Sequence, residues 1–259
     1  MKIGICTQSL RMPLKQALVA ASEIGARGVC INARRELHGQ DLSRTALRHL
    51  LKMFEDLNLK TAALTFPTRR GFGVLADLDR RVAATKEAMS QARSLGAAVL
   101  TITPGEIPLD DESPERHLLR DVLVDLGHHG QRVGAIPALT TGRTAPDDVA
   151  AFLSEIPDGL IGIDLDPAQL IIHGHSATQA AQVLGRHVLH VTIADAVYDI
   201  TAGRGDEVQL GRGTVDYPAI LGALEEFEFR GWLSVRRGES SHPDEDLRNG
   251  VSWLASIED

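Results

Sequence analysis

Cysteine is almost absent from this chain: Cys6 and Cys30 are the two present in 259 residues. Each lies in an apolar, strand-like run and reads as a buried reduced thiol, so the fold must rest on apolar packing. At this length an apolar core can form without disulfides or metals. Long hydrophobic runs are missing as well. None approaches the roughly 20 residues that cross a bilayer, which excludes a membrane-spanning helix. The first residues, Met1-Lys2-Ile3-Gly4-Ile5-Cys6, enter strand-like sequence at once and show no signal-peptide pattern. The expected location is therefore the cytoplasm. Positive charge is scarce too, with 27 Lys and Arg against 35 Asp and Glu and a net charge of −8. Nucleic-acid binding demands a basic face, so no such partner is expected. A small anionic ligand stays open, because a local basic pocket can sit in an acidic protein. Interdomain linkers and low-complexity stretches are also lacking.

What is present is alternation. Strand-like runs at 2–7, 28–32, 61–66, 98–103, 134–140, 160–166, 187–193 and 231–236 are separated by amphipathic helical patterns. Helices are expected at 13–24, 47–57, 82–95, 115–126, 149–156, 179–184, 217–227 and 244–257. Eight such pairs predict an α/β fold, one (β/α)8 TIM barrel over 1–259. Ser176 with Gln179, and Thr144 with Asp147, have capping-box spacing. Ser113-Pro114 and Asp216-Tyr217-Pro218 place a cap and then a proline in a first turn. Gly25, Gly96 and Gly185 stand where helices should close. The segment 196–213 is rich in glycine and charge and reads as a long irregular loop on the functional end of the barrel.

Strand parity locates a pocket. Helix-facing positions must be apolar, so Ile161, Ile163 and Leu165 face out and Gly162, Asp164 and Asp166 face in. By the same rule His190 and Thr192, and Ser234 and Arg236, face the lumen. The last inward residues form a ring of Gln8, Asn32, Thr65, Thr103, Thr140, Asp166, Thr192 and Arg236. Barrel enzymes do chemistry at that C-terminal mouth.

Five segments carry a resemblance to a known family. They are Ala138-Leu139-Thr140-Thr141-Gly142, Ile163-Asp164-Leu165-Asp166-Pro167-Ala168-Gln169-Leu170, His190-Val191-Thr192-Ile193-Ala194-Asp195-Ala196, Val208 through Tyr217, and Gly231-Trp232-Leu233-Ser234-Val235-Arg236-Arg237. In this order they resemble the xylose-isomerase-like TIM-barrel family of sugar isomerases and epimerases. The resemblance implies a carbohydrate-metabolism activity and one divalent metal held by Glu, Asp, His and Glu on strands 5 to 8. Those positions are here Thr140, Asp166, Thr192 and Arg236, and the His that commonly follows the Asp by three is Gln169. Only Asp166 matches. A guanidinium and a dication about 5 Å apart repel by about 6–7 kcal/mol at an effective dielectric near 20. The expectation is a degenerate site with no metal and no other cofactor, the alternative being one divalent metal at Asp166.

The candidate catalytic residues are Asp166, Asp195 (the acid kept after the lost strand-7 His) and Arg236. The candidate substrate-binding residues are Thr103, Thr140, Gln169, Thr192, Arg70, Arg204 and Arg237. Asp166 is expected to pair with Arg236, and converging arginines would suit a phosphate or carboxylate. His173 and His175 follow strand 6 as a minor metal possibility. The expected partner is a small carbohydrate or sugar acid, handled by an isomerase/epimerase-like protein or, alternatively, by a non-catalytic binder on the same scaffold. Apurinic endonuclease relatives need several metals and a basic groove, neither of which this sequence offers. Oligomeric state is not legible.

Overall fold

The computed structural model describes residues 1–37, 43–199, 201 and 203–258. The first half of the barrel runs β1 (Ile3–Cys6), α1 (Leu14–Ile24), β2 (Gly28–Asn32), α2 (Arg44–Asp56), β3 (Lys60–Phe66), α3 (Leu78–Ser94), β4 (Val99–Ile102) and α4 (Pro114–Val133). The second half runs β5 (Ile136–Thr140), α5 (Pro146–Leu153), β6 (Gly162–Leu165), α6 (Pro167–Ile172), α7 (Ala177–Leu184) and β7 (Val188–Ile193). Then come β8 (Asp195–Asp199), β9 (Arg204–Val208), α8 (Tyr217–Glu226), β10 (Trp232–Val235) and α9 (Pro243–Glu258). Eight parallel strands close in the order β1-β10-β7-β6-β5-β4-β3-β2. The chain is a single (β/α)8 barrel, and the expected strands all lie in it.

The alternation read from sequence is the reason the barrel closes with a packed wall. Ile163, Leu165, Val191 and Ile193 are fully buried against the helical layer, while Asp164, His190, Thr192 and Ser234 turn to the lumen. Burying one such aliphatic side chain stabilises the fold by about 1.5–3 kcal/mol. Gly28 shows a close approach: the Trp232 ring lies where any side chain would begin.

Caps hold most helix starts. Ser113, Ser176, Asp166 and Asp216 each accept a backbone N–H in the first turn. The Thr144–Asp147 box is not formed. Ala145 occupies that cap with no side-chain bond, and the Thr144 hydroxyl instead accepts the Ile107 N–H at 3.3 Å. The helix expected at 149–156 starts earlier, since Pro146 takes a first-turn place that needs no N–H. Gly25 and Gly96 close helices at positive φ, whereas Gly185 stays right-handed at φ −51 and opens a short 3-10 turn.

Two elements differ from expectation. A six-residue helix, α6, follows β6 directly. The segment 196–213 is not irregular: β8 and β9 form an antiparallel hairpin with Asp195 opposite Val208 and Asp199 opposite Arg204, although Ile200 and Ala202 lie outside the described residues. Among the described residues no helix is long and apolar enough to cross a membrane.

Candidate functional site

A cavity of about 1020 Å³ opens at the C-terminal mouth. Gln8, Asn32, Thr65, Thr103, Thr140, Asp166, Thr192 and Arg236 all line it, as do Gln169 and Arg237. The first eight come each from the end of a different strand or the loop just after it, which is how a parallel barrel gathers distant residues.

Its floor is built on Asp164. Thr140 donates its hydroxyl to Asp164 Oδ2 at 2.9 Å, and Thr192 donates to Oδ1 at 3.0 Å. His190 Nδ1 lies 2.8 Å from the same Oδ1, and its Nε2 lies 2.8 Å from the Ser234 hydroxyl. A buried carboxylate is costly unless its lone pairs are satisfied, and three partners satisfy this one. Across the floor Asn32 donates to the Gln8 side chain at 2.5 Å, and the Glu36 carboxylate accepts the Asn32 N–H at 2.7 Å. Cys6 and Cys30 are register partners on β1 and β2, both as free thiols at the cavity wall. A hydrogen bond with Cys6, helped by burial, holds the Cys30 thiol above its ordinary range.

Two residues above Asp164, just past the end of β6, Asp166 meets Arg236. Nη2 of Arg236 stands 3.2 Å from Asp166 Oδ2 and 3.4 Å from Oδ1. Nη1 donates to Glu207 Oε2 at 2.8 Å. Arg237 donates to Glu207 Oε1 at 3.1 Å and to Asp246 Oδ2 at 3.1 Å. Burial works against the charge on Arg236, but Asp166 and Glu207 outweigh it and keep the guanidinium protonated. Burial also pushes the Asp166 carboxyl up to about 6; Arg236 opposes the rise, and Asp164 and Glu207 add to it. A group poised there can exchange a proton near neutral pH.

Three candidates lie elsewhere. Asp195 does not line the cavity. It is buried and accepts the N–H groups of Ala196, Gly211, Gly213 and Val215 at 2.9–3.2 Å, so it clamps the segment after the hairpin. Arg70 turns outward toward Asp77 at 3.9 Å, and Arg204 is exposed at the start of β9. Arg237 lines the cavity with its charge already met by two carboxylates. His173 reaches the cavity wall with Nδ1 2.7 Å from the Gln169 carbonyl, and His175 bonds the Arg143 carbonyl. Glu207 is the residue that sequence reasoning missed. It sits in a segment read as loop, and only the hairpin register carries it to Arg236.

The fold and this mouth together define a (β/α)8 barrel with a polar cavity at the C-terminal ends of its strands. A family model described as xylose isomerase-like TIM barrel matches residues 18–257, and the chain belongs to that family. Among solved structures it resembles a xylose isomerase domain protein from Planctomyces limnophilus (24% identity, 93% of this chain and 91% of that one, TM-score 0.84). It also resembles the 3-keto-D-glucoside 4-epimerase from E. coli (16%, 99% of each chain, TM-score 0.77). A third likeness is the IOLI protein with a binding zinc atom (19%, 100% and 97%, TM-score 0.80). No curated protein matches the chain.

The divalent metal that such a family implies does not fit the residues present. Both threonine hydroxyls are committed to Asp164, a permanent cation stands at the strand-8 position, and Asp166 faces that cation. Among the described residues no three His, Cys, Asp or Glu side chains are grouped to hold a metal.

Proposed function

We propose that the chain is a sugar, sugar-phosphate or sugar-acid isomerase/epimerase-like protein of the cytoplasm whose mouth works without the family's divalent metal. The observation that carries this reading is the Asp166–Arg236 pair at two of the four positions of the resembled metal site, joined by Glu207 from the hairpin. The E. coli structural neighbour is a sugar epimerase by name, and the cavity here is polar at every strand end, in keeping with a polyol ligand. In the proposed reaction the Asp166 carboxylate takes a proton from a carbon beside a carbonyl. The C–H electron pair moves to form an enediolate, whose oxygen is met by the Nη hydrogens of Arg236 not used by Asp166 and Glu207. Return of that proton from Asp166 to the neighbouring carbon, with the enediol O–H proton passing to the other oxygen, completes isomerisation. In epimerisation a water on the opposite face protonates the carbon, and Asp166 gives its proton, through solvent, to the hydroxide left behind. Neutral Thr103 and Gln169 would orient hydroxyls.

Solvent-exchange NMR tests this. Chelator-treated protein in D2O, given a panel of ketoses, ketose phosphates and keto-acids, is expected to exchange a hydrogen beside the carbonyl of one member. Added EDTA should leave that rate unchanged, and Asp166→Asn should remove it. A protein that binds a panel member yet never exchanges deuterium is a non-catalytic binder. Elemental analysis finding near one divalent metal per chain would overturn the metal-free reading.

A further inference from the structure

Among the described residues six arginines line the cavity against four carboxylates, in a chain whose net charge is −8. This bias does not come from Arg236 and Arg237, which Asp166, Glu207 and Asp246 neutralise. It comes from Arg11, Arg35, Arg69 and Arg143, which have no ion-pair partner among the described residues; Arg11 donates to the Gly238 carbonyl at 2.8 Å, which leaves Arg35, Arg69 and Arg143 as the open cations. Among the described residues the acids lining the cavity without an ion pair are Glu106 and Glu239, so cations are in excess at the rim even after both are counted.

The three arginines follow β2, β3 and β5, and their loops are tied into one arc. The Ala33 N–H donates to the Thr65 carbonyl and the Phe72 N–H to the Pro104 carbonyl, each at 2.9 Å, and the Ile107 N–H reaches the Thr144 hydroxyl. Pro67 and Pro104, both on the wall, add stiffness. Among the described residues no Phe, Tyr or Trp lines the cavity. Small-molecule pockets are usually lined by apolar and aromatic groups, so recognition here falls to hydrogen bonds and charge.

Resting on the carbohydrate reading above, we propose that the ligand is an anionic polyol. Its carboxylate or phosphate is gripped at the rim by Arg35, Arg69 and Arg143, and its hydroxyls reach down to Asp166 and the threonines. Guanidiniums present paired donors that match carboxylate and phosphate oxygens, and exposed ones hold them in a salt-dependent manner.

Calorimetry and thermal shift at constant low ionic strength, with D-gluconate, D-fructose 6-phosphate, D-fructose and inorganic phosphate as probes, test the claim. D-Gluconate or D-fructose 6-phosphate is expected to bind at least tenfold more tightly than D-fructose, and the better of the two identifies the anionic group. Arg35→Gln, Arg69→Gln and Arg143→Gln together should weaken that probe at least tenfold and leave D-fructose within twofold. The control Arg204→Gln, outside the cavity, should change neither. In the wild type, raising NaCl should weaken the anionic probe and spare D-fructose, a readout that requires no variant. The proposal is overturned if D-fructose binds as well as both anions, if the triple variant keeps anion affinity, or if neither anionic sugar binds at millimolar concentration. If inorganic phosphate binds as tightly as the sugar phosphate and is lost with the arginines, the clamp stands and the carbohydrate reading fails.

Discussion

Arg236 holds two carboxylates at once, and its side chain is 26% exposed beside partners exposed only 5% and 14%. Removing one member of a fully buried pair costs about 3–5 kcal/mol, whereas a surface pair is worth under about 1 kcal/mol. For this partly open site Arg236→Ala is expected to lower stability by about 2 kcal/mol, read by urea denaturation. An unchanged midpoint would show that Asp166 and Glu207 find other partners. Asp166 makes a second, pH-dependent prediction. Its folded value of about 6 lies above the ordinary 3.8, so the folded state holds the proton more tightly than the unfolded chain. Its contribution to stability therefore falls as pH rises from about 4 to about 6 and is level above that. Asp166→Asn should flatten that slope. Activity depending on the carboxylate should rise with a midpoint near pH 6.

Among the elements, the hairpin β8–β9 and the segment behind it decide the site without touching the ligand space. Asp195 gathers four backbone N–H groups, and hydrogen bonds to a charged acceptor are worth about 1.5–3 kcal/mol each, not additively. Asp195→Ala should destabilise the protein by about 3 kcal/mol, seen as a fall in thermal midpoint. A neutral result would contradict the clamp. Gly213 packs against the Asp195 carboxylate so closely that Gly213→Ala should act in the same direction. On β9, Glu207 helps to raise the Asp166 carboxyl. Glu207→Gln removes that anion and should move the acid limb of the pH profile to lower pH. A limb that stays in place would mean Glu207 acts on packing alone. This element was hard to read because Gly203, Gly205 and Gly211 interrupt the strand alternation, and strand pairing is a non-local property. The six residues of α6 are too few for helical periodicity to register.

At the scale of the whole molecule, the barrel keeps the fold of its family, and the metal-free reading proposed above rests on three strand ends, Thr140, Thr192 and Arg236. Thr140→Glu, Thr192→His and Arg236→Glu together should create a set with Asp166 able to take a divalent cation. Added Mn or Zn should then raise the thermal midpoint of this variant and leave the wild type unmoved. A variant that folds but gains nothing from metal would show that Asp164 or Glu207 obstructs the position.

The sequence by itself determined the barrel and the ring at its mouth. Period-two alternation sorts each strand residue by residue, and the apolar half has one place to go, under the helices. It also limited the partner of Arg236 to an inward acid of strand 6, Asp164 or Asp166, and the structure pairs it with Asp166. Only the tertiary structure decided which charges are satisfied. Glu207 reaches Arg236 through hairpin register, Asp195 is spent on backbone amides, and Asp164 ties the two threonines to His190. The same holds at the rim, where Arg35, Arg69 and Arg143 line the cavity while Arg70 and Arg204 turn away. A long side chain on a loop points wherever its neighbours in space allow, and no local pattern records that.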